Sequence, residues 1–129
     1  MASWEDLKTY IRKNYKIKDQ EENLISLVFD LQNFRSQQIF IQKLENNDGE
    51  VWVKFVSPIG KLSSEDLDET LESLGDKLCG GMIKIGDTYF ISHSIQIDDL
   101  STSNFKRGMH IVMNMADAFE RKYIGEDEN

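Results

Sequence analysis

The stretch Gln37–Ser57 reads QQIFIQKLENNDGEVWVKFVS. Two apolar segments within it alternate with polar residues at a period of two, which is typical of strands in a sheet. Between these segments lie Asn47, Asp48 and Gly49, residue types that tolerate the positive φ of a hairpin turn. The stretch therefore predicts an antiparallel β-hairpin and places a sheet at the centre of the fold.

A further strand is predicted immediately before this hairpin, in NLISLVFDLQ. Apolar residues occupy every second position there and define one strongly apolar face. They are Ile25, Leu27, Phe29 and Leu31. The three strands together predict an antiparallel meander that Pro58 and Gly60 end.

A short amphipathic helix is predicted ahead of the strands, over residues 3–16. Ser3 is a residue type that caps helix N-termini, and Trp4, Leu7 and Ile11 follow at helical spacing. The charged segment KDQEEN after this helix is interpreted as a loop.

A middle helix is predicted after the meander, in KLSSEDLDETLESLGDKL. Ser63 provides an N-cap, and Glu65 and Asp66 place negative charge in the first turn, where the helix dipole favours it. The leucines of this segment form one stripe: Leu67, Leu71, Leu74 and Leu78. Gly75 can end the helix early, in which case Leu78 belongs to the following loop.

A second hairpin and a long helix complete the chain. The segment GGMIKIGDTYFISHSIQID turns at Gly86, and the last helix is predicted over residues 103–124 with Gly125 as its C-cap. Residues 126–129 are expected to be a frayed acidic tail. The resulting order, α-β-β-β-α-β-β-α, predicts a single α+β domain over residues 1–125, with an antiparallel sheet and helices mainly on one face.

Composition argues against several classes of function. The chain has 129 residues, of which 40% are hydrophobic, and carries a net charge of −8. Nucleic-acid phosphates repel such a charge, and no basic, aromatic-rich cluster offsets it, so we expect no nucleic-acid binding. No apolar run approaches the roughly 18 residues of a membrane span, and MASWEDLKTY lacks the pattern of a secretion signal. We therefore expect a cytoplasmic protein without membrane insertion.

Side chains suited to catalysis or metal binding are few and scattered. His93, His110, Cys79 and the pair Asp98 and Asp99 lie in no catalytic motif. The single cysteine lacks a disulfide or zinc-site partner and is expected to be a small buried residue. His93 faces inward by alternation, which favours a hydrogen-bonded structural histidine. We expect no enzyme, no cofactor and no metal; a small-ligand or catalytic site using His93 is the less favoured alternative.

The last helix contains three closely spaced methionines, which raises the question of a soft-metal site. At about 100° per residue, one arc of this helix is apolar and is predicted to pack in the core. This arc comprises Phe105, Met109, Val112, Ala116 and Phe119. Met113 and Met115 lie on opposite flanks and diverge, which argues against a metal site. For Met113, Met115 and Ile111, ordinary packing and partner contact both remain open, and Ile111 and Met115 are candidate partner-binding residues.

The strands contain another candidate contact patch. If Val51, Val53 and Phe55 face the core, Trp52 and Val56 face outward. Phe40 and Leu44 are then expected beside them on the neighbouring strand. An outward cluster that includes tryptophan is typical of a protein-binding surface, and coverage by the first helix is the open alternative.

This order of elements resembles the type III secretion chaperone-like fold, shared by CesT/Tir-type secretion chaperones and YbjN-like proteins. The resemblance covers nearly the whole chain. It is carried by GKLSSEDLDETLESL between the two groups of strands and by the long final helix after FISHSIQIDDLS. It implies a non-enzymatic, chaperone-like domain that binds a segment of a client protein, and a homodimer. A YbjN-like regulator or adaptor of the same fold is the alternative.

The resemblance also implies contact residues. Client contact is expected on the outer sheet face and on the first helix: Phe40, Trp52, Trp4 and Leu7. Dimer contact is expected at the middle helix and the adjoining strand: Leu67, Leu71, Leu74, Met82 and Ile83. Exposed strand edges and apolar pockets are physically suited to an extended peptide.

Overall fold

A computed structural model describes Met1 and residues 3–124 of the chain. Three helices and six strands follow one another as α1 (Trp4–Asn14), β1 (Ile17–Glu21), β2 (Leu24–Asp30), β3 (Ser36–Glu45), β4 (Val51–Gly60), α2 (Ser64–Leu74), β5 (Gly81–Ile85), β6 (Thr88–Gln96) and α3 (Thr102–Tyr123). The strands form one antiparallel sheet in the order β1-β2-β3-β4-β6-β5. The predicted α+β class with an antiparallel sheet is confirmed.

Strand β1 corrects the prediction of a loop at KDQEEN. Residues Ile17–Glu21 pair antiparallel with β2, so four strands rather than three precede α2. All the side chains of β1 after Ile17 are exposed, and the register shifts between Ile17 and Asp19. An edge strand of this kind is polar on both faces, and so the alternation that identifies a half-buried strand is absent.

Strand β4 runs through Pro58 and ends at Gly60, the second of the two residues predicted to end the meander. Pro58 lies opposite Phe90 of β6, and the register shifts between Pro58 and Gly60. Gly60 has a φ of +129°, a backbone conformation that only glycine adopts readily. A local irregularity therefore accommodates the proline without ending the strand.

The predicted helix caps are present. Ser3 Oγ accepts a hydrogen bond from the Asp6 amide at 3.1 Å, and Ser63 Oγ accepts one from the Asp66 amide at the same distance. Gly75 follows the last residue of α2, which leaves Leu78 in the loop. The predicted C-cap Gly125 and the acidic tail at 126–129 lie outside the described residues.

The core lies between the sheet and helices α1 and α3. The rings of Tyr10 and Phe105 are 5.6 Å apart, and those of Phe105 and Phe55 are 5.5 Å apart, which joins α1 to α3 and α3 to β4. The five residues of α3 that were predicted to pack in the core are all buried: Phe105, Met109, Val112, Ala116 and Phe119. Helix α2 lies beside the C-terminal turns of α3, where Lys122 Nζ is 2.7 Å from Glu69 Oε1.

Gly108 allows α3 to lie close to the sheet. A Cβ at this position would be 3.1 Å from Phe55 Cε2 and 3.4 Å from Ile95 Cδ1. Phe55 is completely buried, so its ring has little freedom to move away. The small residue thus sets the distance between α3 and the strands beneath it.

We predict that Gly108→Val destabilises the fold by about 1–3 kcal/mol, because the added methyl groups overpack the interface between α3 and β4. Urea unfolding followed by circular dichroism measures the loss. Lys106→Val, at an exposed position of the same helix, is the control and is expected to cost less than about 1 kcal/mol. Equal losses in the two variants would contradict this account of the glycine.

Tyr15 follows α1 and packs in an aromatic group with Tyr10, Phe29 and Phe105. Burial raises the pKa of Tyr15 from 10.0 to about 12, and the neighbouring Tyr10 adds to the rise. The folded chain therefore keeps the phenol proton over a pH range in which the unfolded chain has lost it.

We predict that stability falls as pH rises from about 10 to about 12, because the folded state binds more protons than the unfolded state in that window. Urea unfolding at a series of pH values measures this fall, which Tyr15→Phe should reduce. In an absorbance titration, one of the four tyrosines should ionise well after an ordinary tyrosine. Titration of every tyrosine near pH 10 would contradict the assignment.

Candidate protein-binding surface

The outer face of the sheet is the face opposite the core. Phe40 of β3 lies opposite Val56 of β4, and Leu44 lies opposite Trp52. Their strand neighbours Ile41 and Phe55 point to the helix side and are completely buried. The prediction that Trp52, Phe40 and Leu44 share an outward face is therefore confirmed. Helix α1 packs on the opposite side and does not cover them.

An apolar hollow of about 270 Å³ lies on this outer face. We call it the outer hollow. Five of its six lining side chains are apolar, and they come from five neighbouring strands. The hollow is lined by Leu24, Phe40, Gln42, Val56, Ile85 and Phe90. Such a lining accepts an apolar side chain and provides no charged group that could act as an acid or a base.

The outer hollow has a buried floor and an exposed rim. Val56 is only 6% exposed, whereas Ile85, on edge strand β5, is 60% exposed. Trp52 and Leu44 form a separate apolar pair farther along the sheet, beyond the polar pair Gln42 and Lys54. A segment that crosses the outer face would thus meet two apolar regions divided by a polar row.

Trp4 and Leu7 lie in the core and not on the outer face. Trp4 is 5% exposed and Leu7 is completely buried. The indole Nε1 of Trp4 donates to the carbonyl oxygen of Glu22 at 2.9 Å, which ties α1 to the turn between β1 and β2. The expected client contact at these two residues is corrected, because burial removes both from any surface that a partner can reach in this structure.

The expected dimer contact residues are divided between two surfaces. Leu74 and Met82 pack against the core, whereas Ile83 lies opposite Phe90 on the other side of β5. Leu71 is 50% exposed, and Leu67 is half-buried. They do not form one continuous patch.

Charge opposes a symmetric contact through α2. The helix contains five acidic residues and no basic one: Glu65, Asp66, Asp68, Glu69 and Glu72. Lys122 of α3 pairs with Glu69. Two copies meeting through α2 would place like charges opposite one another, which is unfavourable. Dimerisation through α2 stays a prediction.

The methionines of α3 are accounted for within the chain. Met113 is 3% exposed and belongs to the core. Met115 packs against the core and lies close to Gly80, where a Cβ would be 3.1 Å from the Met115 sulfur. Ile111 is half-buried. The same chain therefore covers much of Met115, and partner contact at Ile111 stays a prediction.

The candidate catalytic residues lie on different elements of the fold. His93 lies opposite Phe55 of β4, and its side chain faces the helices, as the alternation along β6 predicts. Cys79 is half-buried in the loop before β5. Among residues 1 and 3–124, no group of three or more His, Cys, Asp and Glu side chains is placed to hold a metal ion. Over the same residues, no helix combines the length and apolar character needed to cross a bilayer.

Comparison of the chain with protein-family models and with curated proteins gives no significant match. The resemblance to secretion chaperones and YbjN-like proteins therefore stays a prediction. The surface chemistry of the fold is the basis for a functional proposal.

A buried ion cluster joins the β2–β3 connection to α3, and sequence reasoning missed it. Arg35 donates from Nε and Nη2 to Asp117 Oδ1 at 3.0 and 2.9 Å, and from Nη2 to Glu120 Oε1 at 2.9 Å. Asp117 is 8% exposed and Glu120 is completely buried. No short-range pattern reveals this cluster, because more than 80 residues separate Arg35 from its partners.

We predict that Arg35→Met destabilises the fold by about 3 kcal/mol, because it removes the cation that two buried carboxylates share. Chemical denaturation measures the effect. Arg121→Met is the matched control: its side chain is 58% exposed, although Arg121 Nε is 3.2 Å from Asp117 Oδ2. This variant should lose less than about 1 kcal/mol. Similar small losses in both variants would show that the cluster contributes little.

Proposed function

We propose that this protein is a non-enzymatic, chaperone-like binding domain whose outer hollow holds an apolar segment of a client protein. The observation that carries the proposal is the position of the hollow. It lies on the outer sheet face, away from the side where α1 and α3 pack, and five apolar side chains line it. An accessible apolar hollow within a sheet face is suited to anchoring a side chain of another protein.

The geometry favours a client segment with spaced apolar side chains. The outer hollow and the Trp52–Leu44 pair are separated by Gln42 and Lys54. An extended peptide directs alternate side chains to one side, so it can place apolar residues in both regions and polar residues over the row between them. The net charge of −8 would keep the domain soluble while it holds such a segment.

A regulator or adaptor with the same surface is the second candidate function. It would use the outer hollow to bind a folded partner and not an extended segment. The large and partly exposed apolar side chains Trp52 and Ile85 suit either kind of contact. The physical form of the bound partner distinguishes the two functions.

We predict that Phe40→Gln weakens partner binding about tenfold or more, because it places an amide in the apolar lining of the hollow. Affinity capture from the native host, with mass spectrometry, identifies proteins retained by the unaltered domain. Titration of each purified partner then measures the loss. Leu78→Gln is the control, since Leu78 is 103% exposed in the loop before β5 and does not line the hollow.

Overlapping peptides from each partner complete the test. Binding of a single peptide, lost in Phe40→Gln and kept in Leu78→Gln, supports a chaperone-like role. Binding of the folded partner without any binding peptide supports the adaptor. If Phe40→Gln keeps its fold, as measured by circular dichroism, and captures the same proteins as the unaltered domain in equal amounts, the proposed site would be overturned.

A further inference from the structure

The connection between β2 and β3 exposes a phenylalanine on a strained backbone. Phe34 is 106% exposed, so its side chain has no packing partner in the fold. Asn33 and Phe34 have φ values of 63° and 60°, both in the left-handed region. This conformation costs a residue with a side chain about 1–2 kcal/mol, and Phe, unlike Asn, has no short polar group to offset the cost. Neither local propensity nor core packing accounts for phenylalanine at this position.

The residue after Phe34 fixes this turn to the body of the protein. Arg35 binds Asp117 and Glu120 of α3 through its guanidinium, and its backbone carbonyl accepts a hydrogen bond from the Leu31 amide at 2.7 Å. The Arg35 amide in turn donates to the carbonyl of Gln32 at 3.4 Å. Backbone hydrogen bonds thus close the turn at its base, and the Arg35 side chain fixes it to α3. An aromatic ring presented on a fixed turn loses less conformational entropy on binding than one on a free loop.

We propose that Phe34 of one copy of this chain inserts into the outer hollow of a second copy, and that the second copy returns the same contact. The protein would then form a two-fold symmetric dimer through its outer sheet faces. Both halves of the contact are present on each chain: an aromatic side chain without a packing partner and an apolar hollow. Self-complementarity of this kind is what a two-fold interface requires.

Size and distance favour a second copy as the source of the ring. The hollow measures about 270 Å³, and an apolar cavity of about 150 Å³ already accommodates benzene. Phe34 lies six residues before Phe40 of the hollow, or about 20 Å along an extended chain. Because the turn is fixed to α3, Phe34 does not fold back onto the hollow of its own chain.

The inserted turn and the hollow lining avoid the acidic groups of the outer face, which lie at Asp19, Glu21 and Asp30. The chain carries a net charge of −8, so two copies repel each other where acidic groups meet. Gln32, Asn33 and Phe34 are uncharged, and so is every side chain that lines the hollow. The alternative contact through α2 would bring two sets of five carboxylates together.

The proposed two-fold axis crosses the surface between the turn and the hollow. Val28 and Gln38 lie opposite each other on β2 and β3, between Phe34 and Phe40 along the hairpin. A two-fold axis that runs across the strands at the level of Val28 and Gln38 would place the turn of each copy over the hollow of the other. Val28 is 42% exposed and would meet its equivalent near that axis, adding apolar contact to the two ring insertions.

This inference goes beyond the proposed function, because it requires the hollow but no client. In the dimer the rings cover both hollows, so a client must displace them to bind. Dimer formation and client binding therefore compete. A failure of self-association leaves client binding open, and Phe34→Ser separates the two because it changes the inserted ring and leaves the hollow intact.

Sedimentation equilibrium of the full chain, from low to high micromolar concentration, tests the proposal. We expect a reversible dimer whose dissociation constant rises about tenfold or more in Phe34→Ser. Leu78→Ser is the matched control, because Leu78 is 103% exposed in a different loop, and its dimer should be unchanged. A monomer at all concentrations, or a dimer equally tight in Phe34→Ser, would overturn the proposal.

Photo-crosslinking locates the contact. A benzophenone side chain introduced at position 34 should crosslink to peptides that contain Phe40, Val56 or Phe90. Mixing isotopically labelled and unlabelled chains shows whether each crosslink joins two copies. Crosslinks that join two copies through α2, or that stay within one chain, would count against the arrangement.

Discussion

The packing of α3 on β4 is the constraint on which the rest of this structure depends. Phe105 lies against Phe55 in the middle of the sheet, and Gly108 brings the helix backbone close to the same ring. Helix α1 then packs beside α3 through Tyr10, and α2 docks at the C-terminal turns. Burial of the large apolar side chains between sheet and helices dominates the folding free energy, so the position of α3 decides which sheet face becomes core.

One-sided packing has a direct consequence for the opposite face. Side chains alternate across each strand, so core residues such as Ile41 and Phe55 fix the direction of Phe40 and Val56 as well. Polar residues at those outer positions would have given an ordinary solvated face. Instead, five strands contribute apolar side chains that meet in the outer hollow. Both proposals for this protein, client binding and self-association, depend on apolar residues at these outer positions, where simple alternation would place polar ones.

Short-range patterns predicted the elements whose residues repeat at a clear period or carry a capping signal. The β3–β4 hairpin, the caps at Ser3 and Ser63 and the buried arc of α3 are present as predicted. Such patterns could not predict strand β1, because an exposed edge strand has no buried face and therefore no alternation of apolar and polar residues. Trp4 is of a residue type that is common at protein contacts, yet only the packing of α1 shows that its indole is buried.

The sequence by itself determined the α+β class, the turns and caps, and the outward direction of Phe40 and Trp52, because each follows from periodicity or from local backbone preference. Tertiary structure alone decided that the outer residues of five strands converge on one hollow. It also decided that Arg35 meets Asp117 and Glu120 from more than 80 residues away, and that Phe34 stands exposed on the turn which this cluster holds. The physical reason is that convergence depends on strand order and helix docking, and these arise from burial summed over the whole chain.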